Sequence, residues 1–171
     1  MPRVGARNRW FFLWFTCLLI LAGVALGGAW LVRSSPASPL QRGIAAYGRQ
    51  DWPSAEKGAR EQLKIQPDDP KGLRLLARAM LQQMRDQPAM ALCERLGDGR
   101  LEAEDFFLLG HAVRRSGKNE SAIRLWRRAV GKDPYHSKSW VALEQIFFQL
   151  DLLSEATRAA EKLSTQPGWE A

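Results

Sequence analysis

Two histidines, two cysteines and a few clustered acids are the side chains of this 171-residue chain that proton transfer, metal binding or nucleophilic attack would require. Such chemistry needs partners at short spacing. His111 and His136 have no cysteine, histidine or carboxylate at ligand spacing on their own stretch, and Glu104 precedes His111 by two helical turns, too far to share one ion. Cys17 and Cys93 form no CxxC pair, so neither a redox motif nor a disulfide framework is present, and Cys93 occupies an apolar position that suits a small hydrophobe. Ser116-Gly117-Lys118 resembles only the tail of a phosphate loop, and Gly97-Asp98-Gly99 reads as a turn. Glu102, Glu104 and Asp105 gather where a helix should begin, and negative charge suits that end of a helix. The expectation is a protein that is no enzyme, with no cofactor and no metal.

Arginine and lysine remain. There are 25 of them against 18 acids, a net charge of +7. Arg3, Arg7, Arg9 and Arg33 supply four of those charges, which leaves the rest of the chain near +3. The basic balance is therefore partly a property of the N-terminus and does not point to nucleic acid. A guanidinium can instead grip a carboxylate through two parallel hydrogen bonds.

A cation recognises a partner only where the backbone presents it, and here the backbone is periodic. Phe106, Leu109, Gly110, Val113, Gly117, Ala122, Trp126, Ala129 and Pro134 stand at fixed intervals within residues 103–136. Related patterns fill 36–69, 70–102 and 137–170, with Gly43, Ala55, Ala59 and Pro67 in the first, Leu73, Leu76, Ala77, Met80 and Ala89 in the second, and Trp140, Leu143, Phe147 and Ala156 in the last. Positions 4, 7, 8 and 11 of each unit follow the i, i+3, i+4, i+7 stripe of one helix face. A small residue at position 8 is expected to face a small one at position 20, as Gly43 with Ala55, Ala77 with Ala89 and Gly110 with Ala122, letting paired helices approach closely. The fourth unit departs from this with Glu144 at position 8.

This spacing resembles the tetratricopeptide (TPR) family over about 135 of the 171 residues, most specifically in the third unit. The resemblance implies an all-α, right-handed solenoid of about four helix hairpins that binds peptides or protein surfaces on its concave side, without catalysis. In that family positions 2, 5, 9, 12 and 13 line the concave surface. Carried onto this chain, those positions give a peptide-binding groove of Lys71, Arg74 and Arg78 from the second unit, Phe107, His111, Arg114 and Arg115 from the third, and Lys138, Gln145 and Phe148 from the fourth. Six cations there face Glu104, so the expected ligand is an acidic peptide with apolar anchors, or a terminal carboxylate. The competing readings are a solvated charged face and an anionic lipid surface. The chaperone-binding subclass uses groove asparagines, and Leu108 stands at position 6 of the third unit, which argues against a chaperone tail. On this reading an Arg78 substitution should leave stability nearly unchanged.

The front of the chain divides into a basic stretch over 1–9, an uncharged apolar stretch over 10–32 and a Ser/Pro tether over 33–39, ahead of the repeats over 40–171. Residues 10–32 are long enough to cross the ~30 Å hydrocarbon core as one helix, with Trp10, Trp14 and Trp30 near its ends. The flanking arginines place the N-terminus in the cytoplasm and the repeats in the periplasm, anchored in a bacterial inner membrane. A signal peptide cut near Gly27-Gly28-Ala29 is the alternative. The functional expectation is a membrane-anchored scaffold for cell-envelope assembly. Its rivals are an N-terminal docking segment of a longer enzyme or secretion component, and an organelle import receptor.

TPR arrays usually finish on a polar-faced helix, whereas here Pro167-Gly168-Trp169 looks like the opening of another unit. Either the chain continues, or the last helix, with Leu152, Leu153, Ala156, Ala160 and Leu163, packs on a partner or a second copy. Self-association through the last repeat is thus a further expectation.

Overall fold

The computed structural model describes residues 37–166, all but Ala37 belonging to the unit that begins at Ser38. Within them eight α-helices follow one another with no strand: α1 Pro39–Gly48, α2 Trp52–Ile65, α3 Pro70–Gln82, α4 Asp86–Leu96, α5 Ala103–Arg115, α6 Asn119–Lys132, α7 Ser137–Gln149 and α8 Leu153–Ser164. Successive helices pair as α1 with α2, α3 with α4, α5 with α6 and α7 with α8, and each pair stacks on the next. A 3₁₀ turn, Asp98–Arg100, joins the second pair to the third.

Local chemistry sets the helix starts. Ser38 Oγ accepts from the Gln41 amide at 3.2 Å while the Gln41 side chain accepts from the Ser38 amide at 3.0 Å. Asp51 caps α2 through Ser54 at 3.1 Å, and Asp69 caps α3 through Lys71 at 3.0 Å. Pro39, Pro53 and Pro70 occupy first-turn positions, where no backbone donor is lost. The end of the predicted tether, Ser38-Pro39, is thus the start of α1. Pro67 and Pro134 follow the ends of α2 and α6, as their spacing predicts.

The turn inside each hairpin repeats one backbone shape. Position 15 of every unit has positive φ: Gln50 at 61°, Met84 at 58°, Gly117 at 77° and Asp151 at 58°. Only one of the four is glycine. For an L-residue this region costs about 1–2 kcal/mol, whereas glycine loses about 0.4–1 kcal/mol through the freedom it adds to the unfolded chain. Met84 is 73% exposed and gives up little packing when replaced. Met84→Gly is therefore expected to raise stability by up to about 1 kcal/mol and Gly117→Ala to lower it by about as much. Opposite shifts in the urea midpoint test this; shifts of the same sign would count against a shared turn.

The core mixes many alanines with a few large side chains. Ala46, Ala55, Ala59, Ala77, Ala89, Ala112, Ala122 and Ala129 are almost wholly buried, with Phe106, Trp126, Leu143 and Ile146 between them. In the first hairpin the small residues do face each other, since a Cβ on Gly43 would sit 3.2 Å from Ala55 O and 3.4 Å from Ala59 N, but it would first meet Leu75 Cδ2 of the next hairpin, at 2.8 Å. Gly58, which the repeat pattern does not mark, is closer still, with an added Cβ 2.7 Å from Gly43 Cα. In the third hairpin the pairing differs. The atoms nearest an added Cβ on Gly110 all belong to the Trp126 indole, beginning at Nε1, 2.3 Å away, so the glycine makes room for a ring.

The membrane placement needs correction. Among the described residues no helix is long and apolar enough to cross a membrane. The longest, α2 and α6, have 14 residues each, about 21 Å at 1.5 Å per residue, and both are amphipathic. The stretch over 10–32, on which the bacterial inner-membrane location and the cytoplasmic N-terminus rested, lies outside the described residues, as do 1–9, 33–36 and the 167–171 end. The localisation therefore has no structural element to rest on and does not stand.

Candidate functional site

Helix α3 presents Arg74 and Arg78 one turn apart, and both reach the start of α5. Arg78 Nε donates to Asp105 Oδ1 at 2.6 Å and its Nη2 to Glu102 Oε2 at 2.9 Å. Arg74 Nη1 lies 2.7 Å from Glu102 Oε1, its Nε 3.2 Å from Asp105 Oδ2, and its Nη2 donates to the Arg100 carbonyl. Asp105 also accepts from the Glu102 amide at 2.8 Å, tying the first turn of α5 together. The Asp105 side chain is 3% exposed and that of Glu102 57%. One carboxylate is therefore an internal counter-ion and the other a surface clasp. The four groups join the second hairpin to the third, and the expectation that Arg78 is dispensable for stability does not survive this geometry.

A second cluster joins α5 to α7. His136 Nε2 lies 3.0 Å from Glu104 Oε2 and its Nδ1 2.8 Å from Ser139 Oγ, while Lys138 Nζ donates to Glu104 Oε1 at 3.1 Å. The His136 hydrogen bond and the Lys138 ammonium hold the Glu104 carboxyl down to about 2, against the opposing effect of burial. A serine, a histidine and a carboxylate in line suggest nucleophilic catalysis. However, Ser139 is wholly buried within the first turn of α7. Phe107 packs against this cluster, with its ring 4.6 Å from His111, 5.5 Å from His136 and 5.9 Å from Lys138 Nζ. His111 in turn meets Trp126 at 5.1 Å. Burial, followed by the charges of Arg114 and Arg115, pulls His111 below its usual range, which favours the neutral ring. Burial likewise pushes the Cys93 thiol up to about 12, so it behaves as a small hydrophobe and not as a nucleophile.

The ten expected groove residues therefore fall into three places. Lys71, Arg74 and Arg78 stand with the start of α5, and Phe107, His111 and Lys138 with Glu104. Arg114, Arg115, Gln145 and Phe148 lie toward the far ends of α5 and α7, where Arg114 donates to Gln149 at 2.8 Å and Arg115 pairs with Asp86 at the start of α4. Gln145 and Phe148 are exposed. Four of the six cations are paired with carboxylates of this chain: Arg74, Arg78, Arg115 and Lys138.

Between the first two places lies a crevice of about 920 Å³, edged by Lys71, Arg74, Arg100, Lys132 and His136 and floored in part by Leu101. Its carboxylates are already engaged: Glu102 by the two arginines, Glu104 by His136 and Lys138, and Asp133 by the Tyr135 amide at 2.9 Å. Among the described residues Lys71, Arg100 and Lys132 make no ion pair, so the uncompensated charge of the crevice is positive. Arg100 ends the 3₁₀ turn before α5 and Lys132 is the last residue of α6, so both sit just ahead of a unit start, outside the first-helix positions that the family's groove uses. A search for basic residues just ahead of each unit start would have found them.

No protein-family model matches the chain, and no curated protein matches it. Solved structures do resemble it. One, described as the crystal structure of MamA protein, is 19% identical with a TM-score of 0.57 over 72% of this chain and 68% of that one. MamA AMB-1 C2221 is 22% identical with a TM-score of 0.56, covering 72% and 74%, and MamA MSR-1 C2 gives 22% and 0.56, covering 72% of each. At this identity the likeness is one of fold, and the fold is all-helical and of TPR type.

Proposed function

We propose that this chain is a protein-interaction scaffold that holds an acidic segment of a partner protein in the crevice between α3, α5 and α6. The observation that carries the reading is the set of three unpaired cations, Lys71, Arg100 and Lys132, around a cavity of about 920 Å³ in which Glu102 and Glu104 are ion-paired and Asp133 alone opposes them. A TPR-type stack supports it by presenting such an edge on rigid helices. Lys71 and Arg74 are the expected groove residues that belong to the crevice. Arg74 and Arg78 contribute field, but Arg78 spends its hydrogen bonds on Asp105 and Glu102 and Arg74 is ion-paired with the same carboxylates, so direct contact with a ligand falls to the unpaired cations. Phe107 and Phe148 serve as apolar anchors for a longer segment running onto α5 and α7.

The test is fluorescence anisotropy of a labelled oligoglutamate peptide against the native chain and against a Lys71→Gln, Arg100→Gln, Lys132→Gln variant. All three side chains are outside the ion-pair clusters, so the fold is retained. The variant is expected to bind about tenfold more weakly, and native binding to weaken with added salt as exposed charge pairs do. Equal binding by both forms, or an oligolysine peptide bound as well as oligoglutamate, would remove the acidic-segment reading.

A further inference from the structure

Position 23 of each unit lies on the second helix of its hairpin. In the second and third units it holds Leu92 and Leu125, half-buried and packed against the core. In the first it holds Gly58, pressed against Gly43. In the fourth it holds Ala159, whose side chain is three carbons shorter than leucine's. Ala159 lines a cavity of about 290 Å³ between α6, α7 and α8. Val130, Trp140 and Phe147 supply its other apolar surface. The Trp140 indole donates to the Pro134 carbonyl at 2.9 Å, so its one polar group needs no partner in the cavity. The alanine therefore leaves a space lined by aromatic rings where two other units have a leucine.

Charge at the cavity defines what it takes. Arg127 and Arg158 both line it, and neither makes an ion pair or a hydrogen bond among the described residues. Arg127 Cζ lies over the Phe147 ring, 5.6 Å from its centroid, which holds the guanidinium against the apolar wall. Glu155 is the carboxylate of the lining, and it already accepts from the Ser154 hydroxyl at 2.5 Å. That bond first, and then the charges of Arg158 and Arg127, hold the Glu155 carboxyl below its usual range. Both arginines thus act on one carboxylate, and one positive charge is left over. An anion matches that surplus, whereas the ammonium of a zwitterion is repelled by it. We propose that this cavity binds a small, free aromatic carboxylate, its ring against Trp140, Phe147 and Ala159 and its carboxylate on Arg127 and Arg158. The volume suits a molecule of one or two rings. A peptide terminus would add amide groups, for which the side chains of the lining offer Glu155 alone as an acceptor. The inference is independent of the crevice and its ligand.

Heteronuclear NMR of the full chain tests it, following the Trp140 indole N–H during titration with naphthoate, with circular dichroism verifying that every variant is folded. A saturable shift is expected. Arg127→Gln with Arg158→Gln should raise the dissociation constant about tenfold. Uncharged naphthylmethanol, zwitterionic naphthylalanine and the peptide N-acetyl-Gly-Gly-Trp should each bind the native chain at least about tenfold more weakly than naphthoate. Ala159→Leu restores the residue of the second and third units and should abolish the shift. The arginine variant changes only exposed side chains, so it decides the matter if the filled cavity does not fold. The absence of a saturable shift with naphthoate would overturn the proposal. So would naphthylmethanol, naphthylalanine or the peptide binding as tightly as naphthoate, an arginine variant that binds as the native chain does, or a folded Ala159→Leu chain with unchanged binding.

Discussion

Replacing Asp105 by alanine is expected to lower the unfolding free energy by about 3–5 kcal/mol, the cost of leaving buried charge without its counter-ion. The carboxylate is 3% exposed and is met by Arg78 Nε at 2.6 Å, Arg74 Nε at 3.2 Å and the Glu102 amide at 2.8 Å. Removing it leaves two largely buried guanidiniums sharing the Glu102 carboxylate and unties the first turn of α5. Arg78→Ala approaches the same loss from the other side. Glu102→Gln should cost only about 0–1 kcal/mol, because that carboxylate is mostly in water. The discriminating measurement is urea unfolding of all three variants and of Arg78→Met combined with Asp105→Leu. The pair replaced by apolar groups should be more stable than either single variant, as is common when both partners of a buried ion pair are removed together. An Asp105→Ala loss below about 1 kcal/mol would mean that water reaches the cluster and that the hairpin junction is held by apolar packing alone.

This cluster also marks where the sequence stops being legible. Each hairpin could be read from spacing, because a helix face repeats over one turn and the residues that define it are near neighbours in the chain. Pro67, Pro134 and Gly117 declared their turns by type, since only a few residues stop a helix or adopt positive φ at low cost. Gln50, Met84 and Asp151 adopt the same conformation without announcing it, because stacking of the flanking helices fixes the turn whatever residue fills it. Arg78 and Asp105 are 27 residues apart and belong to different hairpins. Their meeting depends on how one hairpin leans on the next, which no local period encodes. Read alone, Arg74 and Arg78 are groove cations and Asp105 is a helix-start acid; in the fold each is the other's counter-ion. For the same reason the unpaired cations moved. Charge remaining for a partner is what internal pairing leaves over, so Lys71 stays a candidate, Arg100 and Lys132 join it, and Arg115 and Lys138 become mainly structural.

Gly110→Ala is expected to destabilise the protein by about 1–3 kcal/mol, although alanine is the better helix former by about 1 kcal/mol. The added methyl would lie 2.3 Å from Trp126 Nε1 and 2.6 Å from Trp126 Cδ1, inside any tolerable contact. The indole cannot retreat easily. It is wholly buried, its Nε1 donates to the Phe107 carbonyl at 3.1 Å, and its ring meets His111 at 5.1 Å. Gly110→Leu should be worse still. Trp126→Leu alone opens a cavity and costs about 3 kcal/mol or more. In the double variant Gly110→Ala, Trp126→Leu, the methyl enters space that the indole has vacated, so the two losses should not add. The coupling is expected to be at least about 0.5–1 kcal/mol in favour of the double variant. Because Trp126 is bonded to the Phe107 carbonyl and meets His111, whose ring meets Phe107 in turn, the same overpacking should loosen the Phe107–His136–Glu104 contact. The His111 and His136 ring signals in NMR should therefore shift in Gly110→Ala and recover in the double variant. Strict additivity in the unfolding data, with unmoved ring signals, would show that α5 and α6 slide apart to admit the methyl and that the glycine is not what sets their spacing.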